Sequence, residues 1–153
     1  MKTSVSLALI AAAISLALPA AAQFARPEDA VKYRQSAMFI QGQNAGRIGA
    51  MVQGRVPFDA KVAADSAATL DFMSRLPWGA FGEGTDKASI PTRAKPEIWT
   101  DKAKFAELAE KLQAETAKLN TAAKTGNLDT IKTAMGGVGA ACKGCHDVFQ
   151  AKQ

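Results

Sequence analysis

The sequence predicts an all-α fold, a four-helix bundle with a long loop between helices 2 and 3. Three observations carry this expectation. The chain is alanine-rich and poor in aromatics, at 7% Phe, Trp and Tyr, a balance that favours helices over sheets. Apolar residues recur at helical spacing in four separate stretches. Short turns at 54–57 and 124–127 flank one long crossing, the connectivity of a bundle. The 153-residue length suits a single core. No internal repeat is evident.

Residues 1–22 read as a signal peptide that is cleaved. Lys2 starts it, an apolar run extends from Val5 to Leu18, Pro19 breaks the run, and Ala20, Ala21 and Ala22 form a small-residue cleavage pattern. The run is short for a membrane anchor, and the break follows it directly. The expected mature domain is 23–153. Losing Lys2 takes the formal charge from +5 to +4. No second long apolar stretch follows, so no membrane association is expected after cleavage. Export of a bacterial kind places the chain in the periplasm, where thiols oxidise unless something else claims them. The positive charge is spread out, without the clustered Lys/Arg face that nucleic-acid binding needs.

The first helix opens at "RPEDA". Pro27 suits the first helical position, and Glu28 and Asp29 complement the helix N-terminus. Val31, Met38, Ala45, Ile48 and Val52 give its stripe, and "QGRVP" ends it. The second opens near Asp59, a plausible N-cap, with Val62, Ala63, Ala67, Leu70 and Met73 on one face; Pro77 stops it.

The loop "PWGAFGEGTDKASIPTRAKPEIW" follows, rich in Gly and Pro. A loop of this length inside a small domain is usually functional or disordered. Trp78, Phe81, Ile98 and Trp99 indicate that it packs, first of all as core. The third helix starts at Thr100 or Asp101, carries Phe105, Leu108, Ala109, Leu112, Leu119 and Ala122, and closes at Gly126. The fourth starts near Asn127 and Asp129. Its stripe is Leu128, Ile131, Met135, Val138, Cys142, Cys145 and Phe149.

That last stripe holds the chemistry. "AACKGCHDVF" contains both cysteines of the chain and its only histidine. Cys142 and Cys145 lie three apart on a helix, so both side chains point one way. His146 sits beside them, turned partly around the helix. This suits a flat object lying against the helix. C-x-x-C-H is the attachment signal of a c-type haem, in which two thioethers and an adjacent imidazole hold the group. The competing readings fit less well. A redox dithiol prefers a helix N-terminus, where the dipole lowers a thiol pKa. Zinc wants a fourth ligand, and no other Cys or His exists. A structural disulfide across two residues closes almost no loop.

The chain as a whole resembles the cytochrome c′ family, the helical class II c-type cytochromes. The matching pieces are "QFARPEDAVKYRQSAM", "GRVPFDA", "LPWGAFGEGTD", "AKPEIW" and "GAACKGCH", and they span the expected mature chain. A haem motif near the C-terminus of a four-helix chain is far more specific than C-x-x-C-H alone. The resemblance implies haem c joined covalently through Cys142 and Cys145, with His146 as axial iron ligand. It places Arg34 and Gln35 at the haem edge, Arg93 at the haem rim, and Met38 over the face opposite His146. Arg34 also falls on the inner stripe of helix 1, where a charge needs a partner; a haem propionate would supply one.

Three features complicate the pattern. Relatives often carry Arg or Lys four residues after the axial histidine, where this chain has Gln150; bound anions should be stabilised less there. Gly136, Gly137 and Gly139 lie inside helix 4, each costing up to about 1 kcal/mol against alanine, so close approach of a neighbour is expected. Gly42, Gly46 and Gly49 pose the same question in helix 1. Relatives pair as homodimers through helices 1 and 2, and either that contact or intramolecular packing would account for these small residues.

The resemblance implies capture of nitric oxide or carbon monoxide at five-coordinate, high-spin iron, with electron transfer as a further role. The alternative is a low-spin carrier in which Met38 is the sixth ligand. "KYRQSAM" favours the high-spin branch, and Gly42 leaves a flexible thioether space to swing aside. An enzyme fits worst: no second histidine exists, and Asp147 is the one acid beside the motif.

Overall fold

The computed structural model describes residues 24–152. The signal peptide expected at 1–22 lies outside the described residues. Within them the chain is helical, and no β-strand occurs; one isolated antiparallel bridge joins Ala94 to Gln150.

Four long helices form the bundle: α1 Pro27–Val52, α2 Ala60–Met73, α4 Lys102–Ala123 and α5 Leu128–Phe149. A single-turn helix, α3 Glu97–Thr100, precedes α4. Pro27 stands at the start of α1, with Glu28 and Asp29 in its first turn. The caps expected at Asp59 and Asn127 form: Asp59 accepts from the Val62 amide at 3.0 Å, and Asn127 from the Thr130 amide at 2.9 Å. Asp101 caps α4 in the same way through the Lys104 amide, at 3.2 Å. Gly126 takes φ +66°, a left-handed conformation that turns the chain from α4 into α5.

Some expectations need correction. Helix α2 ends at Met73, capped by Ser74, and Pro77 instead opens a 3₁₀ turn, Pro77–Phe81. Ser74 is fully buried and its hydroxyl meets that of Thr116 on α4 at 3.0 Å, which ties the end of α2 into the bundle. Val62 and Leu128 are exposed, at 41% and 36%. Val62 lies just off the Ala63–Ala67–Leu70 face, and Leu128 opens α5 before its stripe reaches the core.

Helices α1 and α2, α2 and α4, and α4 and α5 pack together, and α1 also meets α5. Ile48, Leu70, Leu119, Ile131 and Val138 are sealed at the centre. Each such side chain contributes about 1.5–3 kcal/mol through burial. A second apolar cluster holds the loop: Ile98, Leu108 and Phe149, with Phe81, Trp99, Phe105 and Cys145 against them. The loop is thus ordered by its aromatics, and Trp99 Nε1 donates back to the Gly82 carbonyl at 3.1 Å.

The glycines divide. A Cβ at Gly137 would collide with the carboxylate of Glu115, so a flexible side chain of α4, though not its backbone, reaches that position. At Gly136 and Gly139 nothing lies within 4 Å of that position, and close approach within the chain does not account for them. Gly42 and Gly46 are equally open.

Candidate functional site

A cavity of about 590 Å³ opens between α1, α5 and the loop, within the range of cofactor sites. Every residue singled out from the sequence lines it: Arg34, Gln35, Met38, Arg93, Cys142, Cys145 and His146.

The α5 wall carries the C-x-x-C-H residues. Cys142 packs against the main core, and Cys145 against the loop cluster, so the pair straddles the seam between them. The two thiols are not bonded to each other. Burial pushes both thiols above their ordinary pKa, and for Cys145 the neighbouring Cys142 adds to it. A redox-active dithiol has the opposite property, a depressed pKa. His146 keeps an exposed edge. Burial of the remainder holds its imidazole below the ordinary value, Arg93 acts the same way, and Asp147 opposes both. A neutral ring is the form that ligates metal. Asp147 forms an ion pair with Lys143 one turn back and does not line the cavity.

Arg93 reaches this wall through a backbone clasp. The Ala151 amide donates to the Arg93 carbonyl at 2.8 Å, and the Lys95 amide to the Phe149 carbonyl at 3.0 Å. These bonds flank the Ala94–Gln150 bridge and fix residues 93–95 of the loop beside the end of α5. Gln150, the departure noted in the sequence, also lines the cavity.

The α1 wall carries Arg34, Gln35, Met38, Gln41 and Gly42. Arg34 is 2% exposed. Its Nη1 donates to the Ala80 carbonyl at 2.8 Å and to Thr85 Oγ1 at 3.4 Å. Its guanidinium carbon lies 4.5 Å from the Phe81 ring centre and 5.5 Å from that of Trp99. Burial lowers its pKa. Gln35 Nε2 donates to the Pro91 carbonyl at 2.9 Å. Met38 is the one methionine on the cavity wall among the described residues, so Met51, Met73 and Met135 have no comparable claim.

Does this chamber suit a haem? Arg34 answers most directly. Its Nη2 is buried without a hydrogen-bond partner, an arrangement that costs free energy unless an acceptor arrives. A propionate at the cavity edge is such an acceptor. The apolar lining of Leu70, Trp78, Phe81, Ile98, Phe105, Leu112 and Phe149 suits a flat apolar ring. In the sequence Phe105 and Phe149 stand out only as core stripe. They serve both ends, since Phe105 stacks edge-on against Trp78, Phe81 and Phe149. Gln41 gave no signal in the sequence beyond its place near Met38.

Comparison with known proteins agrees with this geometry. The family profile described as Cytochrome C′ matches residues 29–150. The chain belongs to the cytochrome c′ family. It is therefore a c-type haem protein, and its only two cysteines suit covalent attachment of haem c. The chain is similar to cytochrome c′ of Rubrivivax gelatinosus, 51% identical over 130 residues, covering 85% of this chain and all of the relative. The crystal structure of cytochrome c′ from that organism superposes with a TM-score of 0.81 at 50% identity, covering 84% of this chain and all of that one. A nitric oxide complex of a mutant of cytochrome c prime from Alcaligenes xylosoxidans gives a TM-score of 0.79 at 44% identity, covering 86% of this chain and all of that one.

Proposed function

We propose that residues 23–153, after loss of a signal peptide at 1–22, form a periplasmic haem c protein with high-spin, five-coordinate iron that binds nitric oxide and carbon monoxide. Cys142 and Cys145 form the thioethers, and His146 is the axial ligand. Arg34 and Gln35 hold the haem edge and Arg93 its rim. The nitric oxide complex known for the Alcaligenes relative supports the ligand class.

One observation carries the choice of an open coordination site. Met38 lines the cavity from α1 and is half-buried, and the next turn on the same wall is Gly42, which has no side chain to hold the thioether in place. An unbranched thioether beside a glycine can swing aside, so Met38 serves as a movable lid for a small ligand. The second reading, a low-spin His/Met electron carrier, is favoured by the same residue's place on the cavity wall. Removing the lid tests the choice: Met38→Ala should speed carbon monoxide association, whereas in the second reading it should abolish a methionine–iron bond.

The protein acts as a binder rather than an enzyme; the acid beside the motif is engaged by Lys143 on the helix surface. It pairs with a second copy through α1 and α2. The large apolar side chains left exposed on those helices, Phe39, Ile40, Val62 and Phe72, support that pairing, and so does the open surface at Gly46.

A further inference from the structure

The α1 wall of the cavity contains a polar group that gas binding as described does not use. Gln41 stands three residues after Met38 and immediately before Gly42, and it lines the same cavity. It is only 6% exposed. Its neighbours along that wall, Met38, Ala45 and Leu70, are apolar. A buried amide in such surroundings needs hydrogen-bond partners to offset its desolvation.

Gln41 has one. Its Nε2 donates to the Met73 carbonyl at 3.1 Å. A carbonyl only accepts, so this bond fixes which end of the amide carries nitrogen. A primary amide nitrogen has two hydrogens, and the Met73 bond uses one of them. Among the described residues the second hydrogen and Oε1 have no further partner. Oε1 is not sealed inside the protein, and Gln41 lines the cavity. The Met73 bond also anchors the amide to the end of α2, so the remaining N–H is held rather than free to rotate.

We propose that Gln41 is a ligand-selecting residue, whose second amide N–H donates a hydrogen bond to the outer atom of a diatomic ligand held beside Met38. The inference rests on the gas-binding function proposed above. Its consequence is selectivity. A hydrogen-bond donor favours the ligand whose outer atom carries more negative charge. Nitric oxide on reduced haem accepts more electron density than carbon monoxide does, so Gln41 raises the ratio of nitric oxide to carbon monoxide affinity. The surrounding apolar wall strengthens the effect, because a hydrogen bond gains where water is scarce. Gln41 would be invisible to a search for acids, bases and metal ligands, since an amide neither titrates nor coordinates readily.

The test compares the reduced, haem-loaded wild type with Gln41→Met and Gln43→Met. Methionine matches glutamine in length and lacks the donor; Gln43 is exposed and outside the cavity. The C–O stretching frequency of the carbon monoxide complex is measured by infrared spectroscopy, and both affinities by titration. Gln41→Met should raise the C–O stretch and lower the nitric oxide to carbon monoxide affinity ratio about fivefold, the worth of one ordinary hydrogen bond. Gln43→Met should leave both as in the wild type. An unchanged stretch in a folded Gln41→Met protein overturns the inference and leaves Gln41 as a tether between α1 and α2. If Gln41→Met does not fold, the wild type decides: transfer to D2O should shift the N–O stretch of the nitric oxide complex, and no shift overturns the inference. A wild type that forms no carbon monoxide complex overturns the gas-binding function itself, and the inference with it.

Discussion

The guanidinium of Arg34, on the first helix, donates to the carbonyl of Ala80 at 2.8 Å, across 46 positions of sequence. It does so from inside the protein, against the rings of Phe81 and Trp99. One buried cation on the cavity wall thus holds the loop and keeps an unpaired Nη2. Arg34→Leu keeps apolar bulk but leaves the Ala80 carbonyl without this donor and removes the cation proposed for the haem edge. The haem-loaded variant should lose about 1–3 kcal/mol of unfolding free energy in denaturant titration, and the 77–96 loop should be cut faster by protease. Unchanged values for both would deny Arg34 this dual role.

A second tether between α1 and the loop is sensitive to pH. Glu28 accepts from the Ser89 amide at 3.0 Å and from its hydroxyl at 2.9 Å. The Ser89 backbone bond is the main reason that its carboxyl titrates below the ordinary value. A depressed folded pKa means that the tether's contribution is complete above the ordinary glutamate range and is lost as pH falls through the folded value. The Ser89 amide proton should therefore titrate in NMR with a midpoint below that of a free glutamate. In Glu28→Gln that titration should vanish.

The glycines of α5 supply a stability contrast. Gly139→Ala places its methyl in open space and gains helix propensity, so it should stabilise the protein by about 0.5–1 kcal/mol. Gly137→Ala meets Glu115 and disturbs its pairing with Lys118 at 2.7 Å. It should be neutral or destabilising. Thermal unfolding of the two variants gives the comparison, and equal gains in both would show that the Glu115 contact is unimportant.

How far the sequence led depended on how local each signal was. Helix caps at Asp59 and Asn127 and the stop at Gly126 are set by adjacent residues, and they were legible. So was the C-x-x-C-H face, because helical spacing alone turns Cys142 and Cys145 toward the core. Arg34 was legible as an inward charge, but its clamp on Ala80 was not, since no pattern links residues so distant. The same holds for the clasp between Arg93 and Ala151, which depends on the path of the whole loop. Val62 was misplaced because an apolar residue one step off a stripe looks like part of it. The residues that chemistry marked in the sequence, such as Arg34, Met38 and His146, do line the cavity. Gln41 was missed because its meaning lies in burial.

The central claim is that Met38 covers the iron without binding it. The most direct measurement is the optical spectrum of the wild-type protein, ferric and then reduced, before and after carbon monoxide. The account predicts a high-spin spectrum in both oxidation states and immediate formation of a carbon monoxide complex on reduction. A methionine–iron charge-transfer band in the ferric wild type that disappears in Met38→Ala would contradict it and make this chain a His/Met electron carrier.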